Sequence, residues 1–131
     1  SPAGALGLMQ VMPRTGRKTA KELNLRWRGN NTLINPSTNI RIGSYYLAKQ
    51  LERFGHPALA AAAYNAGPHR VKQWMPDESM PLDAWVASIP FTETRNYVQR
   101  VLSAQVIYEW RYNGAITRLE SVAASQITKK E

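Results

Sequence analysis

The 131-residue sequence predicts an all-α domain, on three observations. Apolar residues recur at steps of three or four along several segments. Prolines stand just inside the starts of those segments and glycines just past their ends. No stretch alternates apolar and polar residues as a half-buried strand would. At 14.7 kDa the chain is long enough to bury one core without metal or disulfide staples. The absence of cysteine leaves the redox compartment open.

The first predicted helix begins at Pro13 and runs from Arg14 to Leu25, with the proline in the first turn, where its missing N–H is harmless. Gly16 weakens it. Arg26 to Leu33 is polar, glycine-broken and unperiodic, and reads as a surface loop. Asn35-Pro36 then supplies an N-cap and an N1 proline. The helix that follows is expected to bury Ile40, Gly43, Leu47, Leu51 and Phe54 and to stop at Gly55. His56-Pro57 opens an alanine-rich helix through Tyr64, whose small side chains suit a crowded, central position. Asn65-Ala66-Gly67-Pro68 breaks the pattern and restarts it as a short helix from His69 to Trp74. Met75 to Pro81 reads as an exposed loop and Leu82 to Ser88 as another short helix. From Pro90 to Tyr112 the residues Val98, Val101, Leu102, Gln105 and Tyr108 share one stripe, and Gly114 ends it. The domain is therefore drawn as residues 1–114, with 115–131 as a tail that is mobile or docks elsewhere.

Seventeen Lys and Arg against nine Asp and Glu give a formal charge of +8, which favours polyanionic surroundings such as nucleic acid, anionic membrane or an acidic cell wall. The cations are densest at Arg14, Arg17, Lys18, Lys21, Arg26 and Arg28, with only Trp27 interleaved. Single-strand binders alternate cations with several aromatic platforms, so a solvated basic face is the simpler account and no nucleic-acid partner is expected. No apolar run approaches the roughly 18 to 20 residues that span a bilayer, so no transmembrane segment is expected. His56 and His69 adjoin prolines and have no cysteine company, so neither a metal nor a cofactor is implied. The chain opens on Ser1-Pro2 rather than a methionine and reads as a fragment of something longer.

Three segments carry polar groups in apolar, glycine-rich settings. Ser1 to Pro13 sets Gln10 among apolar neighbours, with glycines that let backbone come close; a turn leading into a core helix would look the same. Ala61 to Pro68 presents Tyr64 and Asn65 where a small-residue helix ends, although a buried tyrosine that satisfies its own hydroxyl is the alternative. In Ile89 to Val98, Thr92 or Thr94 can cap the long helix, and Glu93 can simply complement its N-terminal dipole.

Taken together, Gly-Ala-x-Gly-Leu-Met-Gln-Val-Met-Pro (4–13), Ala-Ala-Tyr-Asn-Ala-Gly-Pro-x-x-Val (62–71) and Ile-Pro-Phe-x-Glu-Thr-Arg-x-Tyr-Val (89–98) resemble the motif set of the soluble lytic transglycosylases, a goose-lysozyme-like family. The resemblance covers about Ser1 to Trp110. It implies a lysozyme-like helical catalytic domain acting on peptidoglycan glycan strands in the periplasm, as a monomer and without a cofactor. The implied reaction cleaves the β-1,4 bond between N-acetylmuramic acid and N-acetylglucosamine with formation of a 1,6-anhydro sugar. One glutamic acid serves as acid and then base, so the second carboxylate of most glycosidases is not needed.

That glutamate belongs to a Glu-Ser motif which the resemblance places upstream of Ser1, so the catalytic helix is expected to be missing from this chain. Glu22, Glu52, Glu78, Glu109 and Glu120 sit in polar contexts expected to leave their pKa ordinary, whereas an acid catalyst needs a raised one. By resemblance, Ser1 partners the upstream acid and Tyr64 hydrogen-bonds to its carboxyl. Gln10 and Asn65 contact sugar amides and hydroxyls, Met12 forms an apolar wall, and Glu93 holds substrate. Arg95 and Tyr97 buttress Glu93 or serve structure alone. His69 departs from the glycine common among relatives and alters only a loop surface. If the acid is truly lost, the chain would bind glycan without cleaving it.

Overall fold

The computed structural model describes residues 1–114, 122 and 124–128, and the backbone but not the side chain of Asn113. It is mostly helical, in two compact units, residues 1–49 and 50–131, with the division falling inside one long helix.

In the first unit a tight loop precedes helix α1 (Pro13–Glu22), a short helix α2 (Asn30–Ile34) follows, and α3 (Pro36–Phe54) begins. The loop is closed by paired backbone bonds between Leu6 and Val11, at 2.9 and 3.0 Å. Val11, Ala20, Leu33 and Ile42 form its core, with Leu6, Met9, Leu23, Leu25 and Trp27 against it. Gly16, expected only to weaken α1, is where the Leu33 side chain packs: a Cβ there would sit 2.9 Å from both Leu33 methyls. The first helix ends three residues earlier than expected, because Asn24 turns left-handed at φ 56°. The expected loop at 26–33 contains most of α2, and fully buried Leu33 pins it to the core.

The face of α3 is corrected in part: Gly43 is buried and Phe54 packs against a core as expected, but the other three positions are not buried. Ile40, Leu47 and Leu51 are 37–46% exposed, while Asn39, Ile42, Gly43 and Gln50 are the buried positions. Those four are spaced for one helical stripe, rotated from the expected one by roughly a residue. Apolar letters alone pointed to the wrong face because the buried one does a polar task, holding the loop at Met9.

The second unit contains α4 (Pro57–Ala66), α5 (Pro68–Trp74), β1 (Met80–Pro81), α6 (Leu82–Ser88), α7 (Thr92–Asn113) and β2 (Gln126–Ile127). Its core joins the alanines of α4 to Leu59, Val71, Trp85, Ile89, Val98 and Leu102. α4 lies between α5 and α7, the crowded position its alanines suit. It runs to Ala66, two residues past the expected end, and Gly67 at φ 96° turns the chain directly into α5. On α7 the expected stripe holds for Val98 and Leu102, but Gln105 and Tyr108 are exposed and Tyr108 stacks on Tyr112 with centroids 4.5 Å apart.

Among the described residues the all-α expectation holds apart from one pair of antiparallel strands, Met80 with Ile127 and Pro81 with Gln126. The tail residues that are described therefore dock: Ile127 is buried in the core, and Leu82 N–H donates to Ser125 O at 2.7 Å. Residues 115–121, 123 and 129–131 of the expected tail lie outside the described residues.

His56 links this tail to α4. Its Nδ1 accepts from Ala58 N–H at 3.0 Å as the helix N-cap, which leaves Nε2 as the protonated nitrogen, 3.3 Å from Ser125 Oγ. Burial pushes the imidazole pKa below its ordinary 6.5. The unfolded chain therefore takes up the proton first as pH falls, and a second ring proton would abolish the N-cap. Stability from this group is full above about pH 6.5 and declines as the pH drops through the lowered folded value. Thermal unfolding followed between pH 7.5 and 5 should show a falling Tm, and His56→Asn, which keeps a capping acceptor, should flatten that slope.

Candidate functional site

In the first unit the loop before α1 carries Ser1, Gln10 and Met12, and one side chain organises it. Asn39 is fully buried and uses its whole amide: Oδ1 accepts from Met9 N–H at 2.8 Å, and Nδ2 donates to Leu6 O and Leu33 O, each at 2.9 Å. Gly7, at φ 75°, lies against this amide, where a Cβ would come within 2.6 Å of Leu33 O. Gly43 leaves the space that Met9 fills, and Ser44 Oγ lies 3.7 Å from the Met9 sulfur. The result is a rigid turn that holds Gln10 in a left-handed conformation, φ 50°, with its side chain exposed and Nε2 donating to Gly7 O at 2.8 Å. Met12 is 43% exposed at the α1 N-cap. Ser1 Oγ accepts from Ala5 N–H at 3.1 Å.

In the second unit Tyr64 and Asn65 occupy the last turn of α4, both half-buried, while Glu93, Arg95 and Tyr97 occupy the first turns of α7. Asn65 Oδ1 accepts from Thr94 Oγ1 at 2.7 Å, and Thr94 is buried, so the end of α4 is tied to the start of α7 immediately beside Glu93. This overturns the expected capping role. Phe91 is the N-cap and no side chain caps the helix: Thr94 is spent on Asn65, and Thr92 Oγ1 receives Arg95 Nη2 at 3.3 Å.

Glu93 is exposed in the first turn of α7, where its charge complements the helix N-terminus, and among the described residues nothing hydrogen-bonds to its carboxylate. Arg95 is half-buried. Its Nη1 donates to Ile89 O at 2.9 Å, which ties down the turn that delivers α7, so its hydrogen bonds go to Ile89 and Thr92 rather than to Glu93. Tyr97 packs on the core, and burial pushes its phenol pKa up, opposed by the Arg100 charge.

Three residues given no role from the sequence stand beside this cluster, one of them, Phe91, inside the third motif. Trp74 meets Phe91 edge-on with centroids 5.2 Å apart, and the Arg70 guanidinium lies 4.5 Å from the Phe91 centroid. Phe91 is exposed, and it immediately precedes the helix that carries Glu93. The signals in sequence were the place of Phe91 in the 89–98 motif and the i, i+4 spacing of Arg70 and Trp74 on one short helix. Of the acids expected to keep an ordinary pKa, Glu22 departs from it. The Lys49 ammonium donates to its carboxylate and holds the pKa below the usual range, the opposite of what an acid catalyst requires. Glu120 lies outside the described residues.

Residues 1–83 match the family model described as "Transglycosylase SLT domain", and residues 88–115 match one described as "Soluble lytic transglycosylase helical domain". The chain belongs to the SLT transglycosylase family. The soluble lytic murein transglycosylase of Salmonella typhimurium is 46% identical over 112 residues, 82% of this chain and 17% of the relative. The Escherichia coli K12 protein of the same description is 43% identical over 114 residues, 84% of this chain and 18% of that one. Among solved structures, an inactive glutamate-to-glutamine mutant of lytic transglycosylase Slt from Pseudomonas aeruginosa superposes with a TM-score of 0.79 at 44% identity, over 92% of this chain and 20% of that one. The 70 kDa soluble lytic transglycosylase of Escherichia coli gives 0.78 at 37% identity, over 95% and 20%. The SLT-family chain thus spans about a fifth of the length of these relatives. No described helix is long and apolar enough to cross a membrane.

Proposed function

We propose that this chain is part of a lytic transglycosylase that cleaves the β-1,4 bond between N-acetylmuramic acid and N-acetylglucosamine in periplasmic peptidoglycan. The observation that carries the reading is the family match over residues 1–83, with relatives described as lytic murein transglycosylases. The acid is a glutamate ahead of Ser1 in the parent protein. It gives its proton to the glycosidic oxygen, so that N-acetylglucosamine leaves as the 4-alcohol. The resulting carboxylate then takes the proton of the muramic C6 hydroxyl as that oxygen bonds to C1, and no water is consumed. Inactivity of the glutamate-to-glutamine relative supports a mechanism that rests on one such residue.

Within this chain, Ser1 and Tyr64 support the acid. Gln10 and Asn65 hold sugar amides and hydroxyls, Met12 supplies an apolar wall, and Glu93 accepts from sugar hydroxyls. Arg95 and Tyr97 hold the segment that presents Glu93. The rigid turn at Gln10 and the Thr94 bond to Asn65 support these roles, because binding groups must be fixed before substrate arrives if their contacts are to favour the transition state. We take residues 1–114, completed by the docked strand Gln126–Ile127, as the catalytic-domain portion and the protein as a monomer.

The test is mass spectrometry of purified peptidoglycan digested by this chain and by the chain extended upstream through the expected glutamate. Anhydromuropeptides from the extended chain support the proposal, whereas reducing-end muropeptides would make the enzyme a hydrolase. Glycan binding with no product from either chain would leave a binding module. In the extended chain, Glu93→Gln should raise KM about tenfold with a smaller effect on kcat, as expected when a contact made equally in ground and transition states is lost. A selective loss of kcat would assign Glu93 a part in the chemistry instead.

A further inference from the structure

The charge of the chain is concentrated in one unit. Residues 1–49 hold eight Lys and Arg against a single acid, Glu22, while residues 50–131 hold nine against eight, so the two units carry formal charges of +7 and +1. Glu22 is already paired with Lys49. On α1, Arg14, Arg17, Lys18 and Lys21 follow the i, i+3, i+4, i+7 spacing of one helix face, and all four are exposed. The opposite face carries the buried Gly16, Thr19 and Ala20. Among the described residues none of the four cations is in an ion pair.

This arrangement works against the helix that carries it. Like charges at i, i+3 and i+4 repel, the first turn contains no acid, and Arg14 meets the positive end of the dipole; Lys21 in the last turn and the attraction of Lys18 to Glu22 offset this only at the other end. A face chosen for solvation and helix stability would mix signs. An unmixed strip is the form expected of a surface that meets an anion.

We propose that the outward face of α1 is a docking strip for the carboxylates of peptidoglycan stem peptides, separate from the residues assigned to the sugars. The proposal rests on the reading that the chain acts on peptidoglycan. Arg14 to Lys21 extends about 10 Å along the axis at the helical rise, a reach that flexible side chains lengthen, and guanidinium groups bind carboxylates through two parallel bonds. No large apolar residue is interleaved on this face to enter a lipid interface, and no aromatic residue to stack on a base. A carboxylate-bearing polymer is the anion left.

The experiment measures binding of the 131-residue chain, at 50 and 300 mM salt, to insoluble peptidoglycan with intact stem peptides, to glycan strands stripped of peptide by an amidase and with the freed lactyl carboxylates capped as amides, and to phosphatidylglycerol vesicles. The variants are Arg17→Gln/Lys18→Gln/Lys21→Gln and the charge-preserving Arg17→Lys/Lys18→Arg/Lys21→Arg, with folding checked by circular dichroism. The neutralised variant should lose about tenfold in affinity for peptide-bearing material at low salt, with little further loss at high salt. It should bind stripped strands like the parent, and the charge-preserving variant should keep its affinity. Equal losses on both substrates, or no loss on either, would overturn the strip while leaving the peptidoglycan reading intact. If the parent chain bound neither material, the strip would be overturned, while the peptidoglycan reading would still be decided by the products of the extended chain. A loss confined to vesicles of phosphatidylglycerol would reassign the strip to a membrane and overturn the proposal.

Discussion

Replacing Asn39 with leucine should destabilise the protein by about 3 kcal/mol, roughly 10 °C in Tm for a chain of this size. Leucine has a similar volume, so no large cavity opens, and the cost comes from the groups left behind. Leu6 O and Leu33 O lose their shared donor, and Met9 N–H loses its acceptor. Each orphaned polar group costs about 1–3 kcal/mol when water cannot reach it, and Asn39 itself is fully buried. Ile42→Val, three positions along the same buried stripe, removes one methylene and should cost only about 1 kcal/mol. The comparison separates the polar clamp from ordinary packing. Amide exchange gives the second readout: the Met9 N–H should exchange much faster in Asn39→Leu, while amides in the middle of α3 keep their protection. Unfolding midpoints that match the parent within error would show that the amide is not what holds the loop.

The same residue shows where the sequence stopped being legible. The motif segments could be read because glycine, proline and polar residues stood at specific offsets, and the structure finds Gln10 on a tight turn and Asn65 at a helix end. The helix starts at Pro13, Pro36, Pro57 and Pro68 were legible for the same local reason. The inward face of α3 was not. The spacing placed Gly43 and Phe54 correctly but also selected Ile40, Leu47 and Leu51, whereas packing selected the face where Asn39 can reach three backbone groups and Gly43 can admit Met9. A polar residue spaced three and four before Ile42 and Gly43 was the available signal.

Thr94 was misread in the same way. A threonine near a helix start satisfies the capping pattern, but its hydroxyl is used by Asn65, which is distant in sequence. The pairing of Met80–Pro81 with Gln126–Ile127 has no signature at all, because two-residue strands are too short to alternate. Local patterns found the elements, and long-range contacts decided which faces they buried.

Trp85→Ala should be the most damaging single change in the second unit, at about 4 kcal/mol. Trp85 is fully buried at the centre of the cluster that joins α4, α6 and α7, so truncation removes a large apolar surface and leaves a cavity among side chains already confined by the alanines of α4. It also carries a polar contact, since the indole Nε1–H donates to Trp74 O at 3.0 Å at the end of α5. Trp85→Phe separates the two contributions. Phenylalanine refills most of the space but has no donor for that carbonyl, so a cost of about 1–2 kcal/mol is expected. Urea unfolding of both variants measures the difference. If Trp85→Phe cost as much as Trp85→Ala, the hydrogen bond would outweigh the packing. The phenylalanine variant should also disturb the site beyond its cost in stability. Trp74 O fixes the end of α5, and the same residue's ring meets Phe91 edge-on beneath the Arg70 guanidinium. Freed from its carbonyl tether, that aromatic group should loosen, and the Trp74 and Phe91 ring resonances should broaden or shift even where the variant remains folded. Unchanged ring resonances in a folded Trp85→Phe protein would mean that the Trp74, Phe91 and Arg70 group is ordered by its own contacts and owes nothing to the core behind it.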